Sequence, residues 1–92
     1  MKVIFSRKAQ RHLIGIRDFI AEDNPVRAVT FIDELEAAMS GLSSMPYRCR
    51  PSIYFNDDRH RDLIYKGYII PYLVDEENGR IVILAVLNRN LP

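Results

Sequence analysis

The side chains that could do chemistry in this chain are two histidines, one cysteine and clustered arginines and tyrosines. His60 lies between Arg59 and Arg61, where a histidine could serve as a general base. No orienting carboxylate stands beside it in an obvious pattern, which favours a solvated loop histidine. Cys49 also lies between two arginines, and neighbouring cations can activate a thiol. Because no base or motif accompanies it, we interpret Cys49 as a bystander.

The other titratable groups fit structural roles better than chemical ones. His12 lies on or beside the apolar stripe of a predicted helix, which favours partial burial. Tyr65, Tyr68 and Tyr72 alternate along predicted strands, as packing and edge residues do. The sequence contains no metal-ligand spacing and no glycine-rich phosphate loop, so we expect no metal ion and no cofactor.

Length and composition indicate one small domain over residues 1–92. Apolar residues make up 48% of the chain, enough to bury a core. A single cysteine excludes an internal disulfide framework and suits a reducing compartment. The apolar run at residues 3–5 is too short for a signal peptide or a membrane span. We therefore expect a soluble, cytoplasmic protein without membrane contact.

The net charge of +1 gives no case for a general binder of polyanions, so we expect no direct nucleic-acid binding by the chain alone. The charge is nevertheless unevenly distributed. Seven basic side chains lie between Arg48 and the end of the chain, whereas the second predicted helix carries Asp33, Glu34 and Glu36. This distribution allows either a basic patch on the strand half or an ordinary solvated surface of mixed charge.

The first half of the chain predicts a strand and a helical hairpin. Residues 2–5 are β-prone, and Ser6 is a plausible N-cap for a helix that begins at Arg7. Asn24 and Pro25 end this helix and begin the next, as N-cap and first-turn residue. Because the connection is so short, the two helices should pack antiparallel. Their apolar stripes contain Ala9, Leu13, Ile16 and Ile20 in the first helix, and Ala28, Phe31, Ile32, Leu35, Met39 and Leu42 along the second.

The second half predicts loops followed by strands. Residues 41–61 are rich in turn signals, with residues 53–55 as a brief strand or an anchor on the core. Residues 63–65 and 68–74 predict two strands around a tight turn, with Pro71 at an edge or a bulge. Asn78 and Gly79 predict a two-residue hairpin turn before a central strand over residues 81–87.

The resulting order, β-α-α-β-β-β, predicts an α+β fold in which a helical hairpin packs on a small, mainly antiparallel twisted sheet.

This order and four sequence elements together resemble the RelE/ParE superfamily of bacterial toxin–antitoxin toxins. The elements are SRKA (residues 6–9) opening the first helix, LSSMP (42–46) ending the second, YIIPYLV (68–74) as the family's Y-x-I-x-Y-x-V strand, and IVILAV (81–86) followed by Arg89 as the closing strand. The resemblance covers nearly the whole chain.

The two branches of that superfamily act differently. RelE-like members are ribosome-dependent ribonucleases that cleave mRNA, whereas ParE-like members are generally gyrase poisons without nuclease chemistry. The ribonuclease branch has an arginine directly after the Gly-Tyr of the middle strand, another after the closing strand, and a tyrosine in the tail. Here Tyr68 is followed by Ile69, which neither holds a phosphate nor moves a proton. Arg89 occupies the second position, and the sequence stops at Pro92 without the tail.

The resemblance therefore favours the ParE branch: a non-enzymatic inhibitor of DNA gyrase that is neutralised by a ParD-like antitoxin. Two alternatives stay open. One is a RelE-like, ribosome-dependent mRNA endoribonuclease, and the other is a degenerate, non-toxic domain that keeps only antitoxin binding.

Docking on gyrase calls for exposed arginine and apolar anchors on a rigid strand end. We expect this target-binding surface at Asn88, Arg89 and Leu91, together with Arg59 and Arg61 in the loop before the strands. Arg89 is its expected central residue.

The resemblance implies a second interface, with the antitoxin. In the family, a disordered C-terminal segment of the antitoxin folds along the helical hairpin and reaches the sheet. The expected contacts in this chain are Ile14, Phe19 and Val29. For each of them, plain core packing is the alternative interpretation.

Overall fold

The computed structural model describes residues 1–88, and its helices form the predicted antiparallel hairpin. Helix α1 spans Arg7–Asp23 and helix α2 spans Pro25–Ser40, with Asn24 as the single linking residue. The Ser6 hydroxyl accepts a hydrogen bond from the Ala9 amide at 3.1 Å, and the Asn24 side chain accepts one from the Arg27 amide at 3.0 Å. Both predicted N-caps are therefore confirmed, because each satisfies an amide that the helix itself leaves unbonded.

Within residues 1–88, six strands form one mixed sheet beside the helices. Its order is β1-β5-β4-β3-β2, and β6 pairs with β4. Only β1 and β5 run parallel, so the α+β class and the mainly antiparallel sheet are confirmed. The strands are β1 (Lys2–Phe5), β2 (Arg50–Pro51), β3 (His60–Tyr65), β4 (Tyr68–Asp75), β5 (Arg80–Ile83) and β6 (Leu87–Asn88).

The predicted closing strand over residues 81–87 is interrupted. Strand β4 pairs with β5 along its second half and with β6 along its first half, with Tyr72 opposite Ile83 and Ile69 opposite Leu87. Pro71 lies opposite the interruption, where its carbonyl accepts a hydrogen bond from the Leu84 amide at 2.9 Å. The amide position and the carbonyl of one strand residue face the same neighbour, so the missing N–H of proline faces the break in the ladder.

The two hairpin turns differ in length. Lys66 and Gly67 form a two-residue turn with φ angles of 44° and 85°. The predicted two-residue turn at Asn78 is wrong, because β4 ends at Asp75 and β5 begins at Arg80, which leaves four residues between them. The Asp75 carboxylate accepts hydrogen bonds from the Asn78 side chain and Arg80 Nε at 2.9 and 3.0 Å, and this side chain holds the wider loop together.

The core lies between the helical hairpin and the facing side of the sheet. Its largest fully buried apolar side chains include Leu35, Met39, Ile70, Tyr72 and Ile83. The Tyr72 hydroxyl donates to the Pro46 carbonyl at 2.6 Å, and burial raises the pKa of this phenol far above its usual value. The tyrosines are packing residues, as predicted: Tyr65 and Tyr68 both contact the Phe31 ring.

Two expectations for residues 41–61 are wrong. Strand β3 begins at His60, three residues before the predicted start. The Asp57 carboxylate holds His60 in place by accepting a hydrogen bond from its backbone amide at 2.9 Å. Ile53, Tyr54 and Phe55 form neither a strand nor a core anchor, since all three side chains are exposed at a turn. No helix within residues 1–88 is both long and apolar enough to cross a membrane.

Candidate functional site

One apolar groove separates α1 from the end of the sheet, and we call it the strand-side groove. Its volume is about 460 Å³. Phe19 stands at its side with 72% of its surface exposed. The groove is lined by Arg11, His12, Gly15, Ile16, Phe19, Tyr68, Val86 and Asn88.

His12 connects α1 to the segment that leads into β6 by a side-chain hydrogen bond. Its Nδ1 accepts a hydrogen bond from the Val86 amide at 3.0 Å, which requires that nitrogen to be unprotonated. Burial lowers the pKa of His12, and the charges of Lys8 and Arg11 lower it further. The ring is therefore neutral at pH 7, and the partly buried structural role predicted for it is confirmed.

A second groove lies on the other side of α1, against α2 and β1, and we call it the hairpin groove. Its volume is about 340 Å³, and Ile14 at its wall is 49% exposed. Its lining includes one cation, Arg17, and one anion, Glu36, so the groove has no net charge. The groove is lined by Phe5, Gln10, Leu13, Ile14, Arg17, Ile32 and Glu36.

The three residues expected to bind an antitoxin are exposed but do not share one surface. Phe19 borders the strand-side groove and Ile14 the hairpin groove. Val29, on α2, lines neither and is 59% exposed. Their exposure removes core packing as the explanation for them, and antitoxin binding stays a prediction.

The described residues that were expected to bind the target lie near opposite ends of β4. Asn88 pairs with Tyr68 at the beginning of that strand, whereas the Arg59 carbonyl accepts from the Val74 amide near its end. Val74 lies six positions after Tyr68, which corresponds to about 20 Å along an extended strand. Arg59 and Asn88 therefore belong to separate surfaces. Arg89 and Leu91 lie outside the described residues.

The Arg61 side chain is held in place by contacts within the domain. Its Nε donates to the Asp58 carbonyl at 2.9 Å, one terminal nitrogen donates to the Cys49 carbonyl at 3.2 Å, and the guanidinium lies 5.0 Å from the centre of the Tyr47 ring. These contacts use the planar fork to fix the loops beside β3. Arg61 thus has a structural task whether or not it also touches a partner.

His60 is not the unsupported loop histidine that the sequence suggested. The Asp57 carboxylate lies 2.9 Å from its Nδ1 and also accepts from the backbone amides of Arg59 and His60. The Phe55 ring stacks on the imidazole, with ring centres 3.8 Å apart. These hydrogen bonds lower the pKa of Asp57. The signal in the sequence was an aspartate followed three residues later by the first strand residue.

Asp62 is a buried carboxylate that sequence reasoning missed. Only 1% of its surface is exposed, and its Oδ2 accepts from the Ile53 amide at 3.1 Å and from Arg50 at 3.4 Å. Its Oδ1 has no hydrogen-bond partner among the residues that the structure describes. Asp62 therefore fastens the loop after β2 onto β3, which leaves residues 53–55 projecting outward.

Groups of three or more histidine, cysteine, aspartate or glutamate side chains placed to hold a metal ion are absent from residues 1–88. Cys49 is partly buried and packs against the core. The described residues thus define a small α+β domain with an apolar groove on each side of α1. The loop before β3 is partly apolar and is held in place by hydrogen bonds to Asp57 and Asp62.

The sequence places this domain in a family. The family model of the ParE toxin of the type II toxin–antitoxin system parDE matches residues 3–90, so the chain belongs to that family of toxins. No curated protein sequence matches the chain significantly.

Solved structures share the fold. A chain of the chromosomal ParDE toxin–antitoxin system of Pseudomonas aeruginosa aligns with a TM-score of 0.77 at 19% identity, over 96% of this chain and 95% of that one. A chain of the RelBE2 toxin–antitoxin complex of Mycobacterium tuberculosis aligns with a TM-score of 0.62 at 24% identity, over 96% of each. The same architecture therefore occurs in both kinds of system.

Proposed function

We propose that this toxin inhibits DNA gyrase by binding rather than by catalysis and that a ParD-like antitoxin neutralises it. A gyrase poison must favour the cleaved-DNA state of the enzyme over its other states, which requires differential affinity and no chemistry of its own. The exposed apolar side chains and the braced loops of this domain suit a binding function of that kind.

Ile69 is the observation that carries the proposal. The residue follows Gly67 and Tyr68, where the ribonuclease branch of the superfamily has an arginine. It is 8% exposed and pairs with Leu87 across the sheet. A buried aliphatic side chain cannot hold the charge of a phosphate in a transition state. Gyrase inhibition fits this position better than mRNA cleavage.

The target surface that we propose is centred on Arg89, with Asn88 and Leu91 beside it. Asn88 lies at the end of β6 on a segment that His12 ties to α1, so the chain enters this surface from a fixed direction. Arg59 lies beside the other end of β4, about 20 Å along that strand from the partner of Asn88, and would form a separate, secondary contact. Arg61 is a weaker candidate because its guanidinium already holds two carbonyls.

The test is tight induction of the chain alone in bacteria, with DNA, RNA and protein synthesis followed separately. The proposal predicts early loss of DNA synthesis and filamentation. Abrupt loss of translation with cleaved mRNA would instead identify a ribonuclease, and undisturbed growth would identify a degenerate, non-toxic domain. Arg89→Ala, at matched soluble expression, should lose most of the arrest, whereas Arg17→Ala on the far side of α1 should keep it.

A further inference from the structure

Asn78 is the asparagine of this chain that a glycine follows, and this makes its side-chain amide chemically labile. The backbone nitrogen after an asparagine can attack the side-chain carbonyl carbon, and a following glycine hinders that attack least. Gly79 has a φ of 62°, where a side chain is strained, so the turn itself requires glycine at this place. The other asparagines of the chain precede Pro25, Asp57, Arg89 and Leu91.

The reaction is a deamidation, and its co-reactant is water. The Gly79 nitrogen forms a bond to Cγ of Asn78, the bond from Cγ to Nδ2 breaks, and the proton of the Gly79 amide leaves with Nδ2 as ammonia. Water then opens the resulting succinimide ring at one of its two carbonyl carbons. The product is aspartate, or isoaspartate, in which the main chain runs through the former side chain. Both residues are exposed in the loop between β4 and β5, so water reaches them.

The folded turn holds both reacting groups in hydrogen bonds. Nδ2 of Asn78 donates to Oδ2 of Asp75 at 2.9 Å, and the Gly79 amide donates to the Glu76 carbonyl at 3.2 Å. The Asp75 carboxylate is fixed in turn by Arg80 Nε at 3.0 Å, and the bond from Asn78 lowers the pKa of Asp75. Ring closure removes Nδ2 and the proton of Gly79, so both hydrogen bonds must break before the reaction proceeds.

Modification of this turn alters the sheet beside it. Both products place a carboxylate where Nδ2 of Asn78 donates to Asp75, so two negative charges then face each other. Isoaspartate also adds one methylene to the main chain just before Gly79, whose carbonyl accepts from the Lys2 amide at 3.1 Å. That bond lies at the start of β1, which pairs with β5 over four residues. The modified turn therefore loosens the attachment of β1.

We propose that Asn78 is a site of spontaneous deamidation and that the Asp75 carboxylate protects it in the folded protein. Chains in which the turn opens acquire an additional negative charge beside Asp75 and close less readily afterwards. The covalent state of residue 78 thus records how often this end of the sheet has opened. The inference concerns the chemistry of the turn and is independent of the proposed function.

The first test uses the unaltered full-length chain, incubated at mildly alkaline pH in buffer and in concentrated guanidinium chloride. Peptide mapping by mass spectrometry follows the conversion of each asparagine. In denaturant Asn78 should be converted first, whereas Asn24 should persist, because the following proline has no N–H. In buffer the conversion of Asn78 should be about tenfold slower or more, a barrier difference of about 1.4 kcal/mol. Faster conversion of Asn56 than of Asn78 in denaturant, or equal rates for Asn78 in both solutions, overturns the inference.

Asp75→Ala tests the protection, and Glu77→Ala is its matched control. Glu77 removes the same charge from the same loop, and its side chain has no hydrogen bond or ion pair within residues 1–88. In buffer Asp75→Ala should deamidate about tenfold faster than the wild type, and Glu77→Ala within about twofold of it. Equal rates for the two variants would show that charge, and not the hydrogen bond, sets the rate. Circular dichroism checks the fold, and the wild-type comparison decides if Asp75→Ala does not fold.

Asn78→Asp tests the consequence, because it carries the new charge from the start, and Asn78→Ala removes the donor without adding charge. Asn78→Asp should unfold at a lower urea concentration than Asn78→Ala and should exchange the Lys2 amide faster. Equal midpoints and equal exchange would overturn the claim that modification loosens β1.

Discussion

His12 joins two parts of the chain that are 74 residues apart in sequence. The lone pair of its Nδ1 accepts the Val86 amide, and that amide has no strand partner because the ladder is interrupted between β5 and β6. A neutral imidazole in one tautomer is required for this bond. A single side chain thus replaces a missing backbone hydrogen bond just before the proposed target surface.

Replacement of His12 separates its hydrogen bond from its bulk. His12→Leu should lower the free energy of unfolding by about 1–3 kcal/mol, because it leaves the Val86 amide unsatisfied. His12→Asn places an oxygen where Nδ1 stands and should recover part of that loss. Urea denaturation measures both variants. Equal stability of His12→Leu and the wild type would show that the bond contributes nothing.

The same bond makes stability depend on pH. The pKa of His12 is lowered in the folded state, so protonation favours unfolding. Its contribution is complete above the ordinary histidine pKa of about 6.5 and is lost as pH falls through the folded-state value. The difference in unfolding free energy between the wild type and His12→Asn should therefore shrink from pH 7.5 to pH 5. A difference that grows on acidification would contradict this assignment.

At the scale of elements, the turn between β3 and β4 depends on backbone conformation rather than on contacts. Gly67 has a φ of 85°, where an L side chain is strained. Gly67→Ala should lower the unfolding free energy by about 1–2 kcal/mol. Gly15→Ala, in the middle of α1 with open space around it, should raise it by about 1 kcal/mol. Chemical denaturation of the two variants should give changes of opposite sign.

The loop before β3 depends on Asp57. Its carboxylate accepts the amides of Arg59 and His60 and meets the His60 ring, which in turn supports Phe55. Asp57→Ala should therefore increase hydrogen exchange at those two amides, whereas Asp58→Ala should leave them protected. Unchanged protection in Asp57→Ala would mean that strand pairing alone orders the loop.

The helices and most strand positions were predictable because local rules decide them: Ser6 and Asn24 cap helices, and apolar periodicity sets the buried faces. The errors arose where a distant side chain decides the backbone. Asp75 widens the turn that Asn78 and Gly79 would otherwise close tightly. Asp62 holds residues 53–55 outward, although their composition favours burial.

The candidate site was less predictable than the fold. Arg59 directly precedes β3 and Asn88 ends β6, and only the register along β4 reveals that they lie at opposite ends of it. Likewise, helical spacing puts Ile14 and Phe19 on different sides of α1, but the identity of each groove depends on which strands pack there. Pairing register and side-chain contacts over long sequence separation are the information that a single sequence lacks.

At the scale of the whole molecule, the strand-side groove lies between α1 and the end of the sheet that β6 forms. The strand-side groove includes residues of the helix and of the sheet end, so one bound segment contacts both. Toxin that is already bound to antitoxin should leave gyrase activity unchanged.

The most direct measurement mixes the purified chain with DNA gyrase and plasmid DNA and quantifies cleaved DNA trapped on the enzyme. The proposed function predicts that trapped cleavage complexes increase with toxin concentration, and that Arg89→Ala at equal concentration traps far fewer. No trapped DNA at a saturating concentration of folded toxin, together with cleavage of mRNA on translating ribosomes, would contradict it.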